Sequence, residues 1–399
     1  MRLVAFLVLA AVATQVRLKP DTTSASVVSG SGRTESVVSG FSRTESVVSG
    51  SSRTESVVSG FSRTESVVSG FSRTESVVSG FSRTNAQEQP QGFEAALAVA
   101  KDLPRLHSLL VSRRGELVLE RYYNGARAAR PANIKSASKS IISALVGIAI
   151  ERRLVSGVET PIVTYFPQLA KDRDQVKRTI TIEDLLTMRS GLESTSNRNY
   201  GAWVQSRNWV QHALARSMLN PPGTQMRYST GNTHLLSAIL TAATKKSTWQ
   251  FANETLAGPL GFTLARWPQD PQGIYFGGND MLMTPRQMLA FGQMYLARGH
   301  VNGRQIVPEP WIERSFITRG RSPISDQEYG YGWWMRELGG HRAYYAWGFG
   351  GQYIFVVPDL QLVVVTTSSS TVAEDRRSHR RNVFDLVEYL IVEPVASSN

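Results

Sequence analysis

Of the eight lysines in the chain, only Lys139 has a hydroxyl residue three positions before it, Ser136. The pair opens Ser136-Ala-Ser-Lys139, which leads into the run Ser140-Ile-Ile-Ser-Ala-Leu-Val-Gly-Ile-Ala-Ile150. Side chains three apart on a helix share a face, with Cβ atoms roughly 5–6 Å apart. A segment apolar on nearly every side is a buried helix, not a surface one. First-turn amides and the positive helix end favour a deprotonated nucleophile and a developing oxyanion. A lysine amine desolvated in that setting titrates low enough to take the serine proton. The bland alternative is a capping serine beside a lysine that snorkels to water, and the tetrad alone does not choose between the two.

The elements that must hold this pair lie far apart in the sequence. Residues 93–103 carry a helical apolar stripe of Phe93, Ala96, Leu97, Val99 and Ala100. Residues 106–112 and 116–123 flank Arg113-Arg114-Gly115, a hairpin signal. Two strands alone cannot stay covered in water, so further strands are needed. The candidates are Tyr344–Ala346, Tyr353–Val357 and Leu362–Thr367. A helix over Asn382–Val392 offers Val383, Phe384, Leu386, Val387, Leu390 and Ile391 to that sheet. The expected fold class is therefore α+β, an antiparallel sheet built from both chain ends and flanked by helices. Residues 150–320 then form an inserted, mostly helical lobe. Within it, Thr181–Met188, Asn208–Leu219, Leu235–Ala243 and a helix opened by Thr284-Pro285 and running to Leu296 read as helices, with threonine caps at the first and last.

The N-terminal part has another character. Met1-Arg2 followed by Leu3–Ala13 reads as a signal-peptide-like segment, with Ala11-Val12-Ala13 as a cleavage site, and predicts export to the periplasm or medium. Over residues 14–86 the decamer Arg-Thr-Glu-Ser-Val-Val-Ser-Gly-Phe-Ser repeats with little change. Each unit offers two valines and at times a phenylalanine against many serines and glycines, which predicts disorder over a small β-solenoid. A block of near-identical copies also fits a recent duplication that interrupts a signal region, with cleavage then falling near Asn85-Ala86-Gln87. Residues 87–399 are left as the globular domain. No apolar run reaches about 18 residues, so no transmembrane segment is expected.

Composition removes several function classes. The chain has no cysteine, which excludes disulfides, thiol catalysis and cysteine-based zinc sites. The formal charge of +12 is spread thinly and comes with no recognition motif, so nucleic acid is not an expected partner. No His-x-x-x-His or acidic ligand cluster points to a metal, and no cofactor is implied. No Gly-x-Ser-x-Gly elbow is present, and His107, His212, His234, His300, His341 and His379 stand outside any catalytic motif.

Four segments together resemble a known family. Ser136-Ala-Ser-Lys139, Thr181-Ile-Glu-Asp-Leu-Leu-Thr-Met-Arg-Ser-Gly-Leu192, Pro222-Gly-Thr-Gln-Met-Arg-Tyr228-Ser and Gly348-Phe-Gly-Gly-Gln352 stand in the order seen in β-lactamase-related serine hydrolases. That group includes class C β-lactamases, D-alanyl-D-alanine carboxypeptidases, family VIII esterases and 6-aminohexanoate-dimer hydrolases. Gly277-Gly-Asn-Asp-Met-Leu-Met-Thr-Pro285 and Gly350–Pro358 are most similar to the last of these. The resemblance covers residues 95–395 and implies the β-lactamase/penicillin-binding-protein fold.

It also implies roles. Ser136 matches the acylated nucleophile, Lys139 its activating partner, and Tyr228 the phenol that passes a proton to the leaving group. The backbone amides of Ser136 and Phe349 match the oxyanion hole. Asn232, Trp347, Gly348 and Gly350 fall in substrate-binding positions. Two positions depart from the pattern: Thr230 stands where asparagine is usual, leaving Asn232 to supply an amide, and Ala346-Trp347-Gly348 replaces Lys-Thr-Gly. Losing that lysine disfavours a β-lactam carboxylate and predicts cleavage of small esters or linear amides. The alternatives are a β-lactamase or D-alanyl-D-alanine carboxypeptidase, and a non-catalytic peptide or peptidoglycan binder on the same scaffold. Oligomeric state is not legible.

Overall fold

The computed structural model describes residues 92–398. The leader-like segment and the repeat block lie outside the described residues. An eight-stranded antiparallel sheet organises the rest. Its order is Glu116–Tyr122, Leu106–Arg113, Leu362–Ser368, Gln352–Val357, His341–Gly348, Trp334–Leu338, Glu328–Tyr329 and Gly320–Arg321. Both chain ends thus meet in its middle, with Val111 opposite Val364 and Ile354 opposite Val365. The 106–122 hairpin turns on Arg114 and Gly115, both at positive φ, as a two-residue hairpin of matching twist requires. Three strands extend the sheet where patterning gives no signal. Trp334–Leu338 is short and flanked by Gly330, Gly332, Gly339 and Gly340, and the other two have two residues each.

The two central strands, Gln352–Val357 and Leu362–Ser368, are buried along their whole length. Each face of the sheet therefore carries a core. On one face, Phe384 of the helix Arg376–Val387 packs its ring against Tyr345, Tyr353 and Phe355, and helix Glu94–Lys101 lies in the same layer. The other face is covered by the helices Ser138–Glu151 and Pro285–Leu296, the latter opened by a Thr284/Gln287 capping box. That core continues without a break into the inserted helices, through Leu185, Trp203, Leu235 and Ile239. The helical segment is an insertion in sequence but shares its apolar interior with the sheet.

Helix boundaries shift for local reasons. The expected 208–219 helix stops at Leu214, and Met218 instead bridges to Leu192. The Leu235–Ala243 helix begins earlier, at Thr230, and ends at Thr244. The last helix starts at Arg376, in a basic turn with no apolar stripe to announce it, and passes through a π-type turn at Glu388–Val392. Among the described residues no helix is long and apolar enough to cross a membrane.

Candidate active site

Ser136 does not sit in the α-helix itself. It lies in a 3-10 turn, Lys135–Ala137, and the α-helix starts at Ser138. A 3-10 turn has three residues per turn, so positions three apart still align, and Ser136 remains over Lys139. Ser136 stays partly open to solvent, whereas Lys139 is only 1% exposed. The lysine Nζ lies 3.1 Å from Ser136 Oγ, 2.6 Å from the Gly278 carbonyl oxygen and 3.4 Å from Thr230 Oγ1. A neutral amine has two N–H donors and one lone pair. With Gly278 and Thr230 as acceptors for the donors, the lone pair is left facing the serine hydroxyl. Burial lowers the Lys139 pKa to about 7, against the pull of the Asp280 charge, which raises it. The amine is thus substantially unprotonated near neutrality.

The turn is held from below. Asp280 Oδ1 accepts from Asn133 Nδ2 at 2.7 Å and from Lys135 Nζ at 2.8 Å, while Asn133 Oδ1 accepts from the Lys135 amide at 3.0 Å. Residues 132–133 pair with 282–283, and the Ile134 amide donates to the Met281 carbonyl. Lys135 and Asp280 both adopt positive φ, 51° and 58°. Non-glycine residues held this way cost of order 1–3 kcal/mol each and persist only where surroundings enforce them. Here the ion pair and the short two-stranded ladder enforce them, immediately before the serine.

Tyr228 precedes the helix Thr230–Thr244, its own carbonyl accepting from Ser194 Oγ at 2.7 Å. Its ring stacks on Trp334 at 5.6 Å, meets Tyr329 edge-on at 6.3 Å, and lies 5.0 Å from Lys139 Nζ. Burial pushes its pKa up, and a hydrogen bond with the Ser136 side chain offsets part of that rise. The phenol is therefore neutral where the lysine is substantially neutral. Thr230, in the position usually held by asparagine, is fixed by Ser196 Oγ, 2.9 Å from both its amide and its hydroxyl.

The end of strand His341–Gly348 closes the third side. Gly348 ends its strand against the Ile134 carbonyl, where a Cβ would collide. The chain then turns through Gly350 and Gly351 at φ 91° and 109°, a conformation that favours glycine. Phe349 lies between, with the Arg376 guanidinium 5.5 Å from its ring. Trp347 meets Trp334 at 5.7 Å, and the Arg380 guanidinium covers it at 4.3 Å. The structure thus brings Ser136, Lys139 and Tyr228 together and lays the 348–351 turn beside the residues that precede Ser136. Asn232 is placed otherwise. It is 2% exposed, its Oδ1 accepts from Ser190 Oγ at 3.1 Å, and its Nδ2 has no partner. The Gly278 carbonyl and the Asn133–Lys135–Asp280 cluster are site components that motif reading did not identify, although Gly277–Asp280 stood out as a motif; Thr230, singled out only as a departure from the pattern, contacts Lys139 Nζ. Among the described residues no three histidine or acidic side chains are grouped to hold a metal.

The family model described as Beta-lactamase matches residues 106–388. An uncharacterised protein of Alkalihalophilus pseudofirmus is 24% identical over 296 residues, covering 66% of this chain and 83% of that protein. Among solved structures, a Bacillus anthracis protein assigned as a 6-aminohexanoate-dimer hydrolase is similar with a TM-score of 0.59 and 22% identity, over 72% of this chain and 80% of that one. EstCE1, a hydrolase with promiscuous acyltransferase activity, is similar with a TM-score of 0.60 and 18% identity, over 73% and 97%.

Proposed function

This chain belongs to the β-lactamase family of serine hydrolases, and on that footing we propose that it cleaves small esters or linear amides through an acyl-enzyme on Ser136. The observation that carries the reading is the buried Lys139 amine 3.1 Å from Ser136 Oγ, with its two donors occupied elsewhere. In the first step Lys139 takes the Ser136 proton as Oγ bonds to the substrate carbonyl carbon, and the carbonyl π electrons move to oxygen. The amides of Ser136 and Phe349 receive that oxyanion, a type of stabilisation whose loss typically costs about 10²–10³ in kcat. Collapse re-forms the carbonyl and breaks the bond to the leaving group. The Tyr228 phenol protonates that group and is itself reprotonated by the Lys139 ammonium. Water then repeats the cycle on the acyl-enzyme.

The test is Ser136→Ala. It should abolish p-nitrophenyl butyrate hydrolysis and fluorophosphonate labelling while moving the melting temperature by a few degrees at most. Turnover that survives would remove Ser136 from the chemistry, and absence of both activities in the native enzyme would favour a non-catalytic peptide or peptidoglycan binder. The β-lactamase or D-alanyl-D-alanine carboxypeptidase reading draws support from one observation: Arg380 over Trp347 places a cation near the missing lysine. The leader-like Met1–Ala13 supports export, and N-terminal sequencing of the secreted chain would locate the cleavage site.

A further inference from the structure

One buried titratable pair takes no part in the reaction above. His234, one turn into the helix Thr230–Thr244, is fully buried, and so is the Asp270 carboxylate facing it. His234 Nε2 lies 3.1 Å from Asp270 Oδ2. The other carboxylate oxygen, Oδ1, accepts from the backbone amides of Gln272 and Ile274, both at 2.9 Å. On the far side of the imidazole, the Gly277 amide points at Nδ1 from 3.4 Å. Trp203, Trp209 and Phe276 pack around the ring with centroids 5.3–5.9 Å away, the ring is closed off from solvent, and among the described residues Asp270 is the one charged group acting on it.

The partners dictate the proton positions. An amide can only donate, so Nδ1 must accept, and Nε2 must carry the proton that Asp270 receives. Burial lowers the imidazole pKa against the raising effect of Asp270, which agrees with a neutral ring. The next residue after Gly277 supplies the carbonyl to which Lys139 donates at 2.6 Å. Ser237 Oγ fixes the same segment two residues earlier, donating to the Tyr275 carbonyl at 2.7 Å.

We infer that His234 is a positioning residue for Lys139: held in its Nε2–H tautomer by Asp270, it pins the Gly277 amide and so fixes the Gly278 carbonyl that orients the lysine amine. This rests on Lys139 being the base for Ser136. The inference makes Asp270→Asn an unusually clean probe. The asparagine oxygen must remain facing the amides of Gln272 and Ile274, so its NH2 group faces Nε2. Nε2 must then accept, the proton moves to Nδ1, and two N–H groups confront each other at Gly277. Shape and volume are unchanged.

Imidazole 15N spectra of the full-length enzyme at pH 7.5 should show Nε2–H for His234 in the native protein and Nδ1–H in Asp270→Asn. With p-nitrophenyl butyrate, kcat should fall about tenfold to a hundredfold, as expected for a misaimed catalytic group. KM should stay within about threefold, since the ester-binding surface is untouched. If Asp270→Asn does not fold, His234→Gln keeps a donor at the Nε2 position for Asp270 and moves its acceptor, Oε1, off the Nδ1 position that faces Gly277, and the same fall in kcat is expected. A native His234 that is Nδ1–H or doubly protonated overturns the inference, as does an Asp270→Asn protein whose tautomer has flipped while kcat stays native, or a folded His234→Gln with native kcat. Failure of the underlying Ser136 reading would instead appear as turnover surviving Ser136→Ala.

Discussion

Gly278 and Lys139 are in direct contact: the glycine carbonyl accepts from Nζ at 2.6 Å, and a Cβ at residue 278 would stand 3.1 Å from the same nitrogen while colliding with Thr233 Oγ1. Gly278→Ala should therefore push the backbone off the lysine. The expected result is a loss of about tenfold to a hundredfold in kcat/KM for p-nitrophenyl butyrate, together with about 1–3 kcal/mol of stability by denaturant unfolding. Native activity in the alanine variant would show that the carbonyl contact does not matter to the chemistry.

The second expectation concerns pH. In the proposed mechanism Lys139 reacts as the free amine, so kcat/KM for an ester should rise with pH through a single limb near 7. Asp280 raises the Lys139 pKa, so Asp280→Asn should move that limb to lower pH. A pH–rate profile of the two proteins checks both points. A limb that stays put or moves upward contradicts the electrostatic assignment.

Buried lysines are costly, and this one should be so measurably. Its folded pKa, about 7, lies below the ordinary 10.5. Between those values the unfolded chain binds more protons, so this group's contribution to stability rises with pH across that window. Below pH 7 both states carry the proton and the cost of the buried ammonium is fully present. Lys139→Met should thus abolish turnover yet raise the melting temperature, with a larger gain at pH 6 than at pH 9. Calorimetry at the two pH values decides it, and an equal or reversed gain would rule out burial as the cause.

Tyr228 should matter according to the leaving group. An amide nitrogen needs a proton to depart, whereas p-nitrophenolate leaves unaided, and general acid help is worth about 10²–10⁴-fold. Tyr228→Phe should lower kcat/KM for an anilide far more than for p-nitrophenyl butyrate. An unchanged ratio, with both rates intact, would place the phenol outside the reaction.

Substrate ranking follows from Trp347. A cation that fixes a carboxylate contributes about 1.5–3 kcal/mol, or roughly tenfold to a hundredfold in rate. With Ala346-Trp347-Gly348 in place of the lysine-bearing element, the best short ester or linear amide should outrun nitrocefin in kcat/KM. The reverse order would shift the assignment to the β-lactamase reading and direct attention to Arg380.

Much of this site is legible from residue types and spacing because the Ser136–Lys139 pair is local. The i, i+3 alignment survives even though the serine sits in a 3-10 turn and not in the α-helix. The sheet joining both ends is legible too, since Tyr353–Val357 and Leu362–Val365 are continuous apolar runs that only a fully covered sheet can hold. What escapes is non-local or carried by the backbone. A carbonyl such as that of Gly278 has no side-chain signature, and His234 and Asp270 are 36 positions apart. Asn232 shows the opposite failure. Its amide suggests a substrate contact, but two residues past Thr230 the helix has rotated it to another side, against Ser190.

The pairing of Leu106–Arg113 with Leu362–Ser368 also imposes an order in time. Ser136 is translated some two hundred residues before the strand His341–Gly348, which abuts Ile134 next to it. A growing chain therefore carries Ser136 and Lys139 well before the 348–351 turn beside them has been made. Contacts of such long sequence separation also slow the final closure, so the partly made sheet presents apolar strand edges for longer than a protein of local contacts would.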